Sequence, residues 1–309
     1  MKLMHMPKWR VWWSIANRLW LDIGDKRLPL IAAGIAFYGM LALFPAIAAI
    51  IALWGLIGDP GSLLPQMDNF RAIMPTEAYT IVGDQITALA LADQGTLGWA
   101  TGLSVALALW STRAGVAALM QGMNAVYGER SRAGLAQYYY AYMLTISLIL
   151  VALVAIGAIV IAPVIMSFVP LGKLAGLALD IVRWTLAIAV LMAGASIVYR
   201  YGPNRRNARI AWVTPGAIMA VGLWAIASVG FSIYLSEFGN YNEVYGSIGA
   251  VIALMMWLFI SGFLLLLGAA LNAELERHTK PDSTVGPDLP LGERGAEAAD
   301  TFVDLDKKG

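Results

Sequence analysis

The run "VYGSIGAVIALMMWLFISGFLLLLGAALNA", Val244 to Ala273, carries no charged side chain and is bracketed by Glu243 and Glu274. A helix needs about 20 mostly apolar residues to cross about 30 Å of hydrocarbon. This run exceeds that length, so it can cross a bilayer with tilt and leave both carboxylates in water. The two glutamates mark two membrane surfaces. The rest of the chain repeats the pattern.

Of the 309 residues, 59% are hydrophobic and 13% charged, with a mean hydropathy of +0.69. Soluble domains are about 45–50% apolar and about 25% charged. The expected fold class is therefore all-α: a polytopic membrane helical bundle with six transmembrane helices and short interfacial amphipathic helices. The expected spans are 28–57, 96–112, 138–168, 176–199, 211–236 and 244–273, within a membrane domain covering 28–276. Pro45 lies inside the first span, where a missing amide donor predicts a kink near Leu41. Arg113 ends the second span in a segment that stays helical in pattern to Tyr127, either as a longer helix or as a bent surface helix.

Residues 1–27 form a basic, tryptophan-rich cytoplasmic segment. In "PKWRVWWSIANRLWLDIGDKR", Trp9, Trp13, Ala16 and Trp20 share one helical face. That predicts an in-plane helix with indoles at headgroup level. Residues 59–95 carry five carboxylates against a lone Arg71 and read as an outer amphipathic loop with short surface helices. Residues 277–309 are rich in Pro, Gly and acidic side chains, and predict a disordered cytoplasmic tail. Lys and Arg gather in 1–27, at Arg113, Arg130 and Arg132, at Arg200, Arg205, Arg206 and Arg209, and at Arg277 and Lys280. Cation bias places these segments, and both termini, on the cytoplasmic side.

Four strings carry a family resemblance: "AAGIAFYGMLALFP" (32–45), "LWSTRAGVAALMQGMNAVYGERSR" (109–132), "VYRYGPNRRNARIAWVTPGAIMA" (198–220) and the run from Phe238 to Glu274. Together they resemble the YihY/BrkB family of bacterial inner-membrane proteins, over about residues 15–280. The resemblance implies a six-span helical protein of the inner (plasma) membrane. Members have been labelled ribonuclease BN, serum-resistance factor or transporter.

Ionisable groups at membrane depth are expensive and are the first candidates for function. Asp180 and Arg183, spaced i, i+3, can pair; they either line an outward-facing cavity or neutralise each other at the interface. Arg113 and Arg200 can each hold a phosphate, or simply anchor a cytoplasmic helix end. Asn124 suits a polar crevice better than lipid. Glu237 and Tyr245 lie in the outer turn before the last span, as a gate or as an ordinary interfacial turn. Asn272 and Glu274 could join Arg113 or Arg200 in a network. Gly262 and Gly268 offer small surfaces for helix packing.

The net charge of +1 gives no strong attraction to nucleic acid, and cysteine is absent. His5 and His278 stand alone near the ends, and no phosphate loop, zinc-binding helix motif or nucleophile elbow appears. No catalytic residue, metal or cofactor is expected. Membrane lipids are the expected partners, with an envelope protein as a further candidate. Three functions compete. The first is a transport-type protein acting on a lipid or other amphipathic envelope component, the second a membrane scaffold, and the third a ribonuclease, which the missing acid–base and metal groups disfavour.

Overall fold

A computed structural model describes residues 9–55, 79–80, 83–84, 87, 94–168, 173–205, 210–237 and 247–277. The expectations for the tail, for Tyr245 and for nearly all of 59–95 fall outside them. The few described residues between 79 and 87 are helical, with Thr87 Oγ1 donating to the Gly83 carbonyl at 2.9 Å.

Seven long helices follow one another among the described residues: α1 (Trp9–Asp25), α2 (Leu28–Gly55), α3 (Gln94–Tyr127), α4 (Leu135–Phe168), α5 (Lys173–Tyr201), α6 (Ile210–Glu237) and α7 (Ser247–Arg277). The class is all-α, as composition requires. Among the described residues, four helices contain stretches long and apolar enough to cross a membrane: Leu135–Ala155, Trp184–Tyr201, Thr214–Leu235 and Val251–Arg277. A bent pair, Trp12–Asp25 with Leu28–Leu43, qualifies jointly as a fifth. Four or five candidate spans are thus seen where six were expected. The expected spans 28–57 and 96–112 both run through residues whose side chains lie outside the described set.

The bend between α1 and α2 is 62°. It occurs at Arg27, whose φ of 52° is left-handed and costs a non-glycine residue roughly 1–2 kcal/mol. Pro29 follows in the first turn of α2, where its missing donor is harmless. The break turns α1 so that Ile15 and Asp22 are buried while Trp13 and Trp20 stay 73% and 75% exposed. This matches the expected indole face. The α2 helix continues through Pro45 to Gly55, and α3 continues unbroken through Arg113, so it is one long helix.

The tightest packing lies at one end of the bundle, where α1, α3, α5 and α7 end and α2 and α6 begin. Its core is Leu28, Ala32, Leu119, Met123, Val126, Ala195, Val198, Ala217, Leu266, Ala269 and Ala270, with the rings of Tyr127 and Tyr199. Small residues let the backbones approach. Gly216 of α6 faces Gly268 of α7, and a Cβ on Gly216 would collide with the Gly268 carbonyl and the Asn272 side chain. Elsewhere Leu150, Leu153, Ile188, Ile226, Val229 and Ile233 stay exposed. A helix apolar all round has its solvent in hydrocarbon.

Candidate functional site

Two polar assemblies stand out. The first is sealed inside the packed end. Arg205, in the segment after α5, pairs with Glu276 of α7, and both side chains are almost fully buried. Its guanidinium carbon sits 3.8 Å from the centre of the Tyr127 ring, and Nη2 donates to the Tyr199 carbonyl at 3.1 Å. Glu274 is engaged by Arg277 at 3.2 Å and Arg18 at 3.8 Å. The Gly216 amide donates to Asn272 Oδ1 at 2.7 Å, and the Tyr199 hydroxyl donates to the Leu265 carbonyl at 2.9 Å. Tyr127 is pushed up to about 12 by burial, against the opposing pull of the Arg205 charge. Its hydroxyl lies beside Arg205 and Asn272 but forms no hydrogen bond of good geometry.

The segment 202–205 is clasped from outside as well. Arg132 donates to the carbonyls of Gly202 at 3.1 Å and Pro203 at 2.8 Å, and its guanidinium carbon lies 4.1 Å from the Tyr140 ring centre. Burial pulls Arg132 below its ordinary arginine value. Asn124 is 2% exposed; its Oδ1 accepts the Asn204 amide at 2.8 Å and its Nδ2 reaches Ser131 Oγ at 3.4 Å. Buried ion pairs hold when hydrogen bonds satisfy the remaining donors and acceptors, and here most are satisfied.

The second assembly lies at the edge of the bundle, beside exposed rings. Arg113, midway along α3, lies where α4 crosses that helix. Its guanidinium carbon is 5.1 Å from the Tyr138 ring centre and 5.7 Å from that of Tyr142. Those rings are 55% and 41% exposed. They occupy the first two turns of the apolar stretch that begins at Leu135, at its N-terminal end. The Arg113 Nε is buried and makes no hydrogen bond. Both side-chain polar atoms of Gln137, in the first turn of α4, are in the same condition. The guanidinium is thus a cation with an unmet donor.

Arg113 and Asn124 are separated by about 16 Å of helical rise. Arg200 is exposed, its guanidinium carbon 5.5 Å from the Tyr201 ring centre. Asp180 and Arg183 lie in α5 and Glu237 ends α6, all three with side chains outside the described residues. Among the described residues, neither Arg113 nor Arg200 meets Asn272 or Glu274, which bond Gly216, Arg277 and Arg18 instead. Sequence reasoning did not single out Arg205, Glu276, Tyr127 or Gln137. Arg205 and Tyr127 each lie within a family string, 198–220 and 109–132, while Glu276 and Gln137 lie in none. Among the described residues no three His, Cys, Asp or Glu side chains converge as metal ligands would.

No solved structure matches this chain. A sequence profile of the family described as "Virulence factor BrkB" matches residues 19–289. A protein named ribonuclease-like, YfkH of Bacillus subtilis, is 31% identical over 257 residues, covering 81% of this chain and 91% of its own. A UPF0761 membrane protein of Aeromonas salmonicida is 26% identical, over 87% of this chain and 91% of its own. The UPF0761 membrane protein PSHAa0171 of Pseudoalteromonas translucida is 25% identical over 94% and 93%. These matches span nearly the whole of both partners and agree with the apolar helices: the chain belongs to the BrkB/UPF0761 family of multi-pass membrane proteins.

Proposed function

We propose that the protein binds and moves an anionic lipid, or another amphipathic envelope component, across the bacterial inner membrane. The observation that carries this reading is the state of Arg113. A guanidinium cation stands at the start of an apolar stretch beside two exposed tyrosines, with a buried Nε–H that no protein group accepts. A phosphate oxygen would satisfy that donor and neutralise the charge while acyl chains stayed in the bilayer. The reading uses six crossings with both termini in the cytoplasm. It is supported by the gathering of Lys26, Arg132, Arg205 and Arg277 near the packed end of the bundle. It assigns no catalytic residue and no cofactor.

The test is reconstitution in liposomes with a headgroup-translocation assay. Wild-type protein should accelerate movement of an anionic phospholipid reporter, and Arg113→Ala should lose most of that acceleration. Equal rates with and without protein, for anionic and zwitterionic reporters alike, would reject transport.

The alternative is a scaffold. It is favoured by the sealed assembly around Arg205, which ties α3, α5 and α7 into one rigid end. A stoichiometric protein partner crosslinked from the native membrane, together with no lipid movement, would select it.

A further inference from the structure

Resting on the lipid reading of Arg113, the chemistry of the neighbouring unmet groups narrows the headgroup. Gln137 lies one helical turn before Ala141, which is fully buried against Val116 and Met120 of α3. The Gln137 side chain therefore faces α3. Its neighbours Tyr138 and Tyr142 flank the Arg113 guanidinium. One helix junction thus holds the Arg113 Nε donor, the Gln137 amide donors and the Gln137 carbonyl acceptor, all buried and all without a partner. An unmet buried polar group is costly, and a half-met cluster is worse than an apolar one.

A ligand that satisfies the junction needs two chemistries at once. Acceptor oxygens bearing negative charge answer Arg113 and the Gln137 NH2. A hydrogen-bond donor answers the Gln137 oxygen. That donor must be neutral, because an ammonium group would stand against the guanidinium and be repelled. We infer that Arg113 and Gln137 together form a subsite for a phosphodiester lipid whose headgroup bears a hydroxyl, with the phosphate on Arg113 and the hydroxyl donating to Gln137 Oε1.

The experiment uses the full chain in neutral detergent micelles. Binding is titrated with phosphatidylglycerol, with phosphatidylethanol (the same phosphodiester charge but no hydroxyl) and with phosphatidylcholine, all of one acyl composition. Phosphatidylglycerol should bind about tenfold tighter than phosphatidylethanol, the scale of one buried hydrogen bond. Phosphatidylcholine should bind weakest. Gln137→Leu should abolish the preference for phosphatidylglycerol and bring both phosphodiesters to one level, whereas Arg113→Ala should weaken both and keep the preference. Equal wild-type affinity for the two phosphodiesters overturns the subsite with no variant needed. If Arg113→Ala still weakens both, the lipid reading survives that result. If Arg113→Ala binds every lipid as wild type does, both inferences fall together.

Discussion

Arg205 and Tyr127 are stacked, guanidinium carbon to ring centre at 3.8 Å, at the point where the segment after α5 enters the packed end of the bundle. The same guanidinium pairs with Glu276. One side chain thereby joins the end of α3 to the end of α7. Breaking such a buried pair on one side strands a charge, at a cost of roughly 3–5 kcal/mol. Arg205→Ala and Glu276→Ala should each lower the detergent-solubilised melting temperature sharply, and Arg205→Met with Glu276→Leu should recover much of the loss. Single variants as stable as wild type would show the pair to be dispensable.

Tyr127 predicts a pH dependence of definite sign. Its folded value is raised to about 12, from an unfolded value of about 10. Above about pH 10 the unfolded chain releases a proton that the folded chain keeps. The contribution is therefore fully present below about pH 10 and is lost as pH rises through about 12. Tyr127→Phe removes an unbonded hydroxyl, so it should change neutral-pH stability little while flattening this alkaline decline. Melting curves of both proteins across that window decide it; parallel declines would contradict the assignment.

The α6–α7 crossing depends on the absence of a side chain at Gly216. A Cβ there meets backbone and the Asn272 amide, neither of which can yield cheaply. Gly216→Ala should destabilise by about 1–3 kcal/mol, the range for overpacking. Gly34→Ala is the matched control in α2, with nothing within 4 Å of the added carbon. It should be neutral or stabilising by up to about 1 kcal/mol. The reverse order in a denaturation series would discredit the close crossing.

The orientation of α1 can be read by spin labels. With no native cysteine, Trp13→Cys and Trp20→Cys each introduce a single labelling site. Both positions are highly exposed on the indole face. Oxygen and nickel accessibilities in liposomes should place both labels at headgroup depth. A label at position 20 near the bilayer centre would mean that α1 enters the membrane as half of a bent span.

How much of this was legible in the sequence divides along a physical line. The run 244–273 announced α7 because crossing hydrocarbon is a requirement on local composition, met residue by residue. The tryptophan face of α1 was readable for the same reason, since helical period alone puts Trp13 and Trp20 together. Arg113 drew notice as a cation set in an apolar helical pattern. Its surroundings did not: Tyr138 and Tyr142 reach it only because α4 crosses α3 where it does, and no local signal encodes a crossing.

Asn124 shows the same limit. Its polarity was readable, but whether it faces a ligand or a loop depended on where residues 202–205 return. Composition and periodicity thus determined that the chain is a helical membrane protein. Tertiary structure alone decided which charges are spent on one another, as Arg205 and Glu276 are, and which stay unspent, as Arg113 does. The reason is that a side chain's partner is set by the angle and register of packed helices, quantities shared between distant segments and written in neither.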